Sequence, residues 1–178
     1  AIETWAAGQM TSPAPLFIIM VGKGQDISFQ ISMEQDTITS EQLNTWLTNL
    51  EDKLSPEAAM ETRTLILGQN YAGSFISDLS APGRIIITST GADEIAVMGP
   101  SEPNGDPLLT KRSADFFLDE FFKQTGTGAT LKSAFLMACQ NIQPYTRRTT
   151  GQRDDLIQHP LLDDNGDGAG HHLLQIND

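Results

Sequence analysis

The chain has 178 residues, 39% of them hydrophobic, which is enough for one well-cored domain and too apolar for a disordered chain. Its formal charge is −12, from 11 basic and 23 acidic residues, so the phosphate backbone of a nucleic acid would be repelled. The single cysteine, Cys139, excludes an internal disulfide and a cysteine-rich zinc site. No apolar run approaches the roughly 18 residues of a membrane span.

The N-terminal third predicts a helix end followed by strands. Residues 1–9 have the pattern of a helix end with Ile2 and Trp5 facing inward. After a proline-containing break, the apolar run at 16–22 predicts a strand buried on both faces of a parallel sheet. The alternating residues 27–31 predict a short edge strand or hairpin arm.

The middle of the chain alternates helix and strand signals. Residues 39–54 give the clearest helix, because Thr39 and Gln42 form a capping box ahead of a leucine-rich face. The further predicted elements are a strand at 63–68, a short helix at 74–79, a strand at 84–90, a loop at 100–110, an aromatic helix near 113–123 and a helix at 129–142. From about residue 143 the chain is polar and predicts loops.

Alternating strands and helices predict a parallel α/β sheet with helices on both faces. Only three strong parallel strands are present, fewer than such sheets usually have. We therefore expect the first strand and helix of the domain to lie upstream. The predicted division is an N-terminally incomplete α/β domain at 1–145 and a C-terminal tail at 146–178.

Polar residues follow three of the predicted strands, at 21–26, 68–74 and 88–94. In parallel sheets, sites form beyond the carboxyl ends of the strands. The sequence segments involved, with their neighbours, are MVGKGQDISFQI, LNTWLTNL, LGQNYAGSFISDL, GRIIITSTGADEIA, SADFFLDEFF and LLDDNGDGAG. In this order they resemble the legumain-like cysteine peptidases of the caspase-haemoglobinase fold, particularly bacterial members within large multidomain proteins. The resemblance covers residues 2–170 and implies a three-layer α-β-α sandwich.

The departures from this family fall on its chemistry. By resemblance, Lys23 occupies the catalytic histidine position and Asn70 the catalytic cysteine position, while Gly68 and Ala72 replace an acidic residue and a serine. The family's mechanism needs a thiolate and a base near neutral pKa. An amide is no nucleophile, and an ammonium group stays protonated unless strongly desolvated. The resemblance therefore predicts a pseudopeptidase with no catalytic residues.

The sequence offers no substitute elsewhere for the lost dyad. The three histidines, His159, His171 and His172, lie in the tail, and Cys139 lies on the apolar face of a predicted helix. An alternative is residual or altered peptidase or transpeptidase-type activity that uses Lys23, Asn70, Ser74 or Ser89.

Three roles are open for Lys23 and Asn70. Lys23 could donate hydrogen bonds to Asn70 or a nearby carbonyl, as a purely structural pair. The tips could instead retain a peptide-binding groove, to which we assign Gly24, Asp26, Gly73, Ser89, Thr90 and Asp93. The third role is a Lys23–Asn70 isopeptide crosslink, for which Asp26 or Asp93 would shuttle protons.

The acidic segment in the tail resembles the start of an EF-hand-type calcium loop. Asp163, Asn165 and Asp167 stand at alternate positions before a glycine, and the Ala169 carbonyl could supply a further ligand. The position of the usual bidentate glutamate is Leu174, which predicts weaker or differently completed Ca²⁺ binding. The alternative is an ordinary turn rich in Asp and Asn.

Together these features predict a catalytically inactive domain that serves as a structural or protein-interaction module of a larger protein. The expected partners are a protein or peptide, a neighbouring domain or an active paralogue, with no nucleic acid and no membrane span. The resemblance and the calcium-type loop together imply an exported bacterial protein, extracellular or periplasmic.

Overall fold

The computed structural model describes residues 2–10, 12–34, 36–102, 111–112, 115–151 and 157–172. The strands are β1 Leu16–Val21, β2 Gly24–Gln25, β3 Ser28–Gln30, β4 Thr37–Thr39, β5 Arg63–Gly68, β6 Arg84–Thr88, β7 Ser101–Glu102, β8 Lys111–Arg112 and β9 Leu161–Asp163. A π-helical turn at Ile2–Ala6 precedes α1, and a 3₁₀ turn at Ala72–Phe75 precedes α4. The helices are α1 Ala7–Gln9, α2 Ser40–Glu51, α3 Pro56–Ala59, α4 Ile76–Leu79, α5 Phe116–Gly126 and α6 Leu131–Thr149.

The main sheet has four strands in the order β1-β5-β6-β9. β1, β5 and β6 are parallel, and β9 closes the sheet antiparallel to β6. The predicted α/β class with a mostly parallel sheet is therefore confirmed. β2, β3 and β4 form a small separate antiparallel sheet, and β3 is a hairpin arm against β2.

Helices cover both faces of the main sheet, because successive residues of a strand point to opposite sides. In β5, Leu65 and Leu67 pack in a cluster with α2 and α4 residues, while Ile66 packs in a second cluster with α5 and α6 residues. The arrangement is consistent with a three-layer sandwich. No helix of the described ranges combines the length and apolar character that crossing a bilayer requires.

The predicted burial of β1 on both faces is wrong. Ile18 and Met20 pack in the cluster on the α2 side, but Phe17, Ile19 and Val21 on the opposite face are 48%, 50% and 45% exposed. β1 is an outer strand, and the cluster formed with α5 and α6 takes its strand residues from β5, β6 and β9. The prediction of an inward Trp5 is also wrong, because that side chain is 65% exposed.

Two buried arginines begin β5 and β6. Arg63 and Arg84 are 5% and 3% exposed, and both bind the carboxylate of Glu51 at the end of α2, at 3.0 and 2.7 Å. This ion cluster ties α2 to the amino ends of the central strands. The cluster therefore lies at the other end of the sheet from the polar residues that follow the strands.

The described part of the tail contains more secondary structure than the sequence predicts. α6 continues past the predicted 129–142 to Thr149 with Pro144 inside it, so the proposed boundary after residue 145 falls within a helix. Residues 161–163 then add the fourth strand to the main sheet. The sequence signal was weak here because β9 has only three residues, and two of them are buried through pairing with β6.

Candidate functional site

A pocket of about 410 Å³ opens at the carboxyl ends of β1 and β5. Among the described residues, its lining is Val21, Gly22, Lys23, Gly68, Asn70, Ala96, Met98 and Asp115. Val21 and Gly68 are the last residues of β1 and β5 and pair directly in the parallel register. Lys23 and Asn70 each follow two residues later. The strand register therefore brings the two residues singled out in the sequence into one pocket.

Asn70 is half-buried, and its side chain holds the segment after β6. Its Oδ1 accepts a hydrogen bond from the backbone N–H of Ala96 at 2.9 Å. Lys23 is exposed, and within the described ranges its ammonium group makes no hydrogen bond or ion pair. The proposed structural hydrogen bond from Lys23 to Asn70 or a nearby carbonyl is therefore not formed there.

The turn after β5 is fixed by buried polar groups. Thr90 accepts a hydrogen bond from the Ala72 N–H at 2.9 Å and donates one to the Gln69 carbonyl at 3.0 Å. Tyr71 adopts the left-handed conformation with φ of 59°. Ser89 and Thr90 were predicted to line a groove, but both are 0% exposed and neither lines the pocket.

Gly24 and Gly73 allow a close approach of backbone segments. A Cβ atom on Gly24 would lie 2.2 Å from the Asn70 carbonyl oxygen, and one on Gly73 would lie 2.7 Å from the Ala92 nitrogen. Any larger residue at either position would displace the tip loops. Asp26 and Asp93 are exposed in turns, and neither is part of the described pocket lining.

Asp115 is a polar pocket residue that the sequence analysis did not single out. It is 5% exposed and caps α5, where its Oδ1 accepts hydrogen bonds from the N–H groups of Phe117 at 2.9 Å and Leu118 at 3.4 Å. Its Oδ2 is buried and accepts no hydrogen bond. Its signal in the sequence is an aspartate directly before an aromatic helix, the usual position of an N-cap.

Burial raises the pKa of Asp115 above its ordinary value. Neighbouring polar groups act in the opposite direction and lower the pKa. The Ser89 hydroxyl contributes most, followed by the two N–H groups at the start of α5 and then the Gln158 amide. The Ser89 hydroxyl lies near the Asp115 carboxyl group, and within the described ranges neither Ser89 Oγ nor Asp115 Oδ2 has a hydrogen-bond partner of normal geometry. Burial at this site therefore favours the protonated form of Asp115 more than it is favoured in an exposed aspartate.

The other candidate nucleophile and bases do not belong to the described pocket lining. Cys139 is 0% exposed in the α5–α6 cluster, and burial raises its pKa to about 12. His159 is bound to Glu94 after β6, with Nδ1 2.5 Å from Oε1 and its backbone N–H donating to Oε2 at 2.7 Å. His172 lies edge-on to His159, with ring centroids 5.1 Å apart.

The acidic loop satisfies its own oxygens with backbone N–H groups. Asp163 Oδ1 accepts from Gly166 N–H at 2.8 Å, Asn165 Oδ1 from Asp167 N–H at 3.1 Å, and Asp167 Oδ1 from Ala169 N–H at 2.8 Å. Asp163 Oδ2 also accepts from the Ser80 hydroxyl at 2.5 Å. No metal-binding group of three His, Cys, Asp or Glu side chains occurs among the described residues. Leu174 lies outside them, and Ca²⁺ binding stays a prediction.

The fold and the site define an α/β domain with a charged pocket at the carboxyl ends of its parallel strands. No protein-family model matches the chain, and no curated protein sequence matches it. The assignment of function therefore depends on the residues and geometry of this pocket.

Proposed function

We propose that the chain is a catalytically inactive caspase-like domain of legumain-like ancestry that binds peptides without cutting them. The observation that carries the proposal is the meeting of Lys23 and Asn70 in one pocket at the ends of two adjacent parallel strands. In the resembling peptidases these positions hold the base and the nucleophile. Here they hold an ammonium group and an amide, which cannot perform those steps.

The burial of the remaining candidate groups supports the same function. Ser89 is 0% exposed and out of reach of a substrate. The Ser74 hydroxyl donates to the backbone carbonyls of Asp26 and Tyr71 at 2.8 and 2.7 Å, and no base contacts it within the described part of the chain. A serine without a neighbouring base is a weak nucleophile. Among the residues that the structure describes, the alternative of residual peptidase or transpeptidase activity thus has no activated group in its favour.

The pocket itself favours recognition over a purely structural role. Its volume of about 410 Å³ falls within the range of ligand pockets, and apolar walls combine there with three polar side chains. The expected partner is a protein or peptide, supplied by a neighbouring domain or an active paralogue. The role as a module of a larger exported bacterial protein is proposed from the resemblance and the calcium-type loop.

The test is incubation of the chain with reporter peptides containing Asn, Asp or Arg at the scissile position. We expect no hydrolysis above buffer. Hydrolysis that disappears in Lys23→Ala and persists in the matched surface variant Lys53→Ala would overturn the proposal, because it would assign a catalytic role to Lys23.

A further inference from the structure

Lys23 and Asn70 line one pocket and belong to backbone segments that are in direct contact. Gly24, which follows Lys23, packs so closely on the Asn70 carbonyl oxygen that no room is left for a Cβ atom. Within the described ranges the Lys23 ammonium group makes no hydrogen bond or ion pair, although the chain has 23 acidic residues against 11 basic ones. The pocket lining therefore includes a positive charge that no described group of the protein neutralises.

Asn70 adds a hydrogen-bond donor to the same pocket. Because its Oδ1 accepts the Ala96 N–H at 2.9 Å, the amide is oriented with its NH₂ group left to donate, and in the described part of the chain that group has no partner. Charge-assisted hydrogen bonds to a carboxylate are roughly twice as strong as those between neutral groups. An ammonium group beside an amide NH₂ group therefore suits a carboxylate better than the neutral carbonyl of an internal peptide bond.

Asp115 is the other charged residue of the described lining, and we assign it no contact with a ligand. Its Oδ1 accepts the N–H groups of Phe117 and Leu118 at the start of α5, and its Oδ2 is fully enclosed. The carboxyl group of Asp115 is thus engaged with the protein itself. Lys23, which is exposed, sets the charge that a ligand meets.

The apolar part of the lining continues along β1. Val21 and Met98 in the pocket are 45% and 53% exposed. Alternate residues of a strand share a face, so Ile19 and Phe17 extend the surface of Val21, and they are 50% and 48% exposed. Apolar residues attached to a carboxylate in the pocket would remove this surface from water.

The charge of the whole chain limits what else the ligand carries. A formal charge of −12 repels ligands with several negative charges. A single carboxylate joined to apolar residues supplies the anionic group that Lys23 lacks with little of that repulsion.

We infer that the pocket binds the C-terminus of a polypeptide that ends in apolar residues. The terminal carboxylate pairs with Lys23 and Asn70, the last side chain packs on Val21 and Met98, and the preceding residues lie along the exposed face of β1. The inference rests on the proposed function, since it names the class of peptide that the inactive domain recognises.

The test uses fluorescent peptides that share their preceding residues, two of them apolar, and differ only at the C-terminus. They end in leucine with a free carboxylate, leucine amide, and glycine with a free carboxylate. By anisotropy, we expect the leucine acid to bind the chain at least roughly tenfold tighter than either of the others. Equal affinity for the leucine acid and its amide would overturn the inference, and so would equal affinity for the leucine and glycine acids.

A competition experiment separates a polypeptide terminus from a small carboxylate compound. N-acetyl-leucine has the same terminal group but lacks the residues that pack along β1. We expect it to displace the fluorescent leucine acid only at a concentration at least roughly tenfold higher than the unlabelled peptide requires. Displacement at equal concentration would overturn the assignment to a polypeptide.

Two variants test the carboxylate contacts. Lys23→Gln should weaken binding of the leucine acid roughly tenfold and leave the amide unchanged, whereas Lys53→Gln, outside the pocket lining, should change neither. Asn70→Asp keeps an acceptor for the Ala96 N–H but replaces the NH₂ donor with an oxygen, so it should abolish the preference for the acid over the amide. Because Lys23 is exposed, the first variant tests the inference even if Asn70→Asp fails to fold. Unchanged affinity of Lys23→Gln for the acid would overturn it.

Chromatography of each peptide after incubation distinguishes failure of the inference from failure of the proposed function. Cleaved peptide would contradict an inactive domain. Intact peptide with no preference for a free, apolar C-terminus would contradict only the inferred ligand class.

Discussion

The side chain of Asn70 accepts a hydrogen bond at 2.9 Å from the backbone N–H of Ala96, 26 residues further along the chain. This bond joins the tip of β5 to the segment that follows β6, and Ala96 and Met98 of that segment form part of the pocket wall. At the position where the resemblance places a nucleophile, the side chain thus helps to hold the pocket in shape.

Restoring the dyad tests the caspase-like ancestry. In Lys23→His/Asn70→Cys we expect a thiol pKa below the ordinary 8.5, because an imidazolium beside it stabilises the thiolate. The measurement is the pH dependence of alkylation by iodoacetamide. Cys139 should contribute little background, since it is buried and its pKa is raised to about 12.

The matched control is Lys23→Gln/Asn70→Cys, which lacks a titrating group at position 23. Each unit by which the histidine lowers the thiol pKa should give about tenfold faster alkylation at acidic pH. Identical profiles for the two double variants would mean that positions 23 and 70 do not face each other as a catalytic pair.

The isopeptide alternative predicts a chain lighter than its sequence by one ammonia. We expect the unmodified mass, because Asn70 Oδ1 is engaged by the Ala96 N–H and no hydrogen bond among the described residues holds Lys23 against the Asn70 side chain. Intact-mass spectrometry decides the question. A loss of ammonia that is absent from Lys23→Arg would establish the crosslink instead.

Asp115→Asn should stabilise the fold at neutral pH by about 1 kcal/mol, since asparagine keeps the helix cap and has no carboxyl group whose ionised form is disfavoured by burial. Because burial raises the pKa of Asp115, its contribution to stability is present at low pH and is lost as the pH rises through the raised pKa. The advantage of the variant should therefore shrink on acidification. Urea unfolding at several pH values measures it, with Asp93→Asn as an exposed control. A variant less stable than the parent at neutral pH would contradict this account.

Glu51→Gln should destabilise the fold by about 3 kcal/mol, because it leaves two buried guanidinium groups without a counter-charge. This loss of stability is at the lower end of the range for broken buried ion pairs, because the Glu51 side chain is 21% exposed. The exposed pair Lys123–Asp119 offers a contrast, and Asp119→Asn should cost under about 0.5 kcal/mol. Equal losses for the two variants in urea unfolding would contradict the assigned role of the ion cluster.

The pH dependence at Glu51 has the opposite sign to that at Asp115. Burial alone would raise the pKa of Glu51, but hydrogen bonds and positive charge from Arg84 and Arg63 outweigh it and hold the pKa below its usual value. This contribution to stability is present above the ordinary carboxyl pKa and is lost as the pH falls through the lowered pKa. Glu51→Gln should therefore lose its disadvantage only in strong acid.

Calcium should bind the acidic loop weakly, with a dissociation constant on the order of 10⁻⁴ M. Binding is expected to be weak because the loop has leucine at position 174, where a bidentate glutamate is usual, and because the Oδ1 atoms of Asp163, Asn165 and Asp167 already accept backbone N–H groups. At a hundredfold excess over that constant, Ca²⁺ would stabilise the fold by about 2.7 kcal/mol. Calorimetry on chelator-treated protein, with Asp167→Asn as the weakened variant, measures this. A flat titration would contradict the prediction.

The strand tips could be predicted from sequence because they follow from local signals. Apolar runs that end at Gly22 and Gly68 define two parallel strands, and parallel register then brings Lys23 and Asn70 together. Asp115 could not be found this way. Its place in the pocket depends on how α5 docks against β5, where Leu118 packs so closely that a Cβ on Gly68 would lie 2.1 Å from it.

Two further differences have physical causes. The apolar run of β1 predicts burial on both faces, yet hydrophobicity alone does not tell an outer strand from a central one. His159 is remote in sequence from the strand tips, but β9 returns the chain to the sheet and so places His159 against Glu94. Such long-range pairing leaves no local pattern.

The open face of β1 has a consequence for handling the protein. Phe17, Ile19 and Val21 form an apolar row on a strand whose outer edge pairs with no other strand in the described ranges. Such edges promote sheet-to-sheet association between molecules. Mutual repulsion from twelve net negative charges opposes that association and weakens as salt screens it. The colloidal behaviour of the isolated chain is therefore governed by ionic strength, so dilute buffers should preserve monodisperse samples and concentrated salt should promote precipitation.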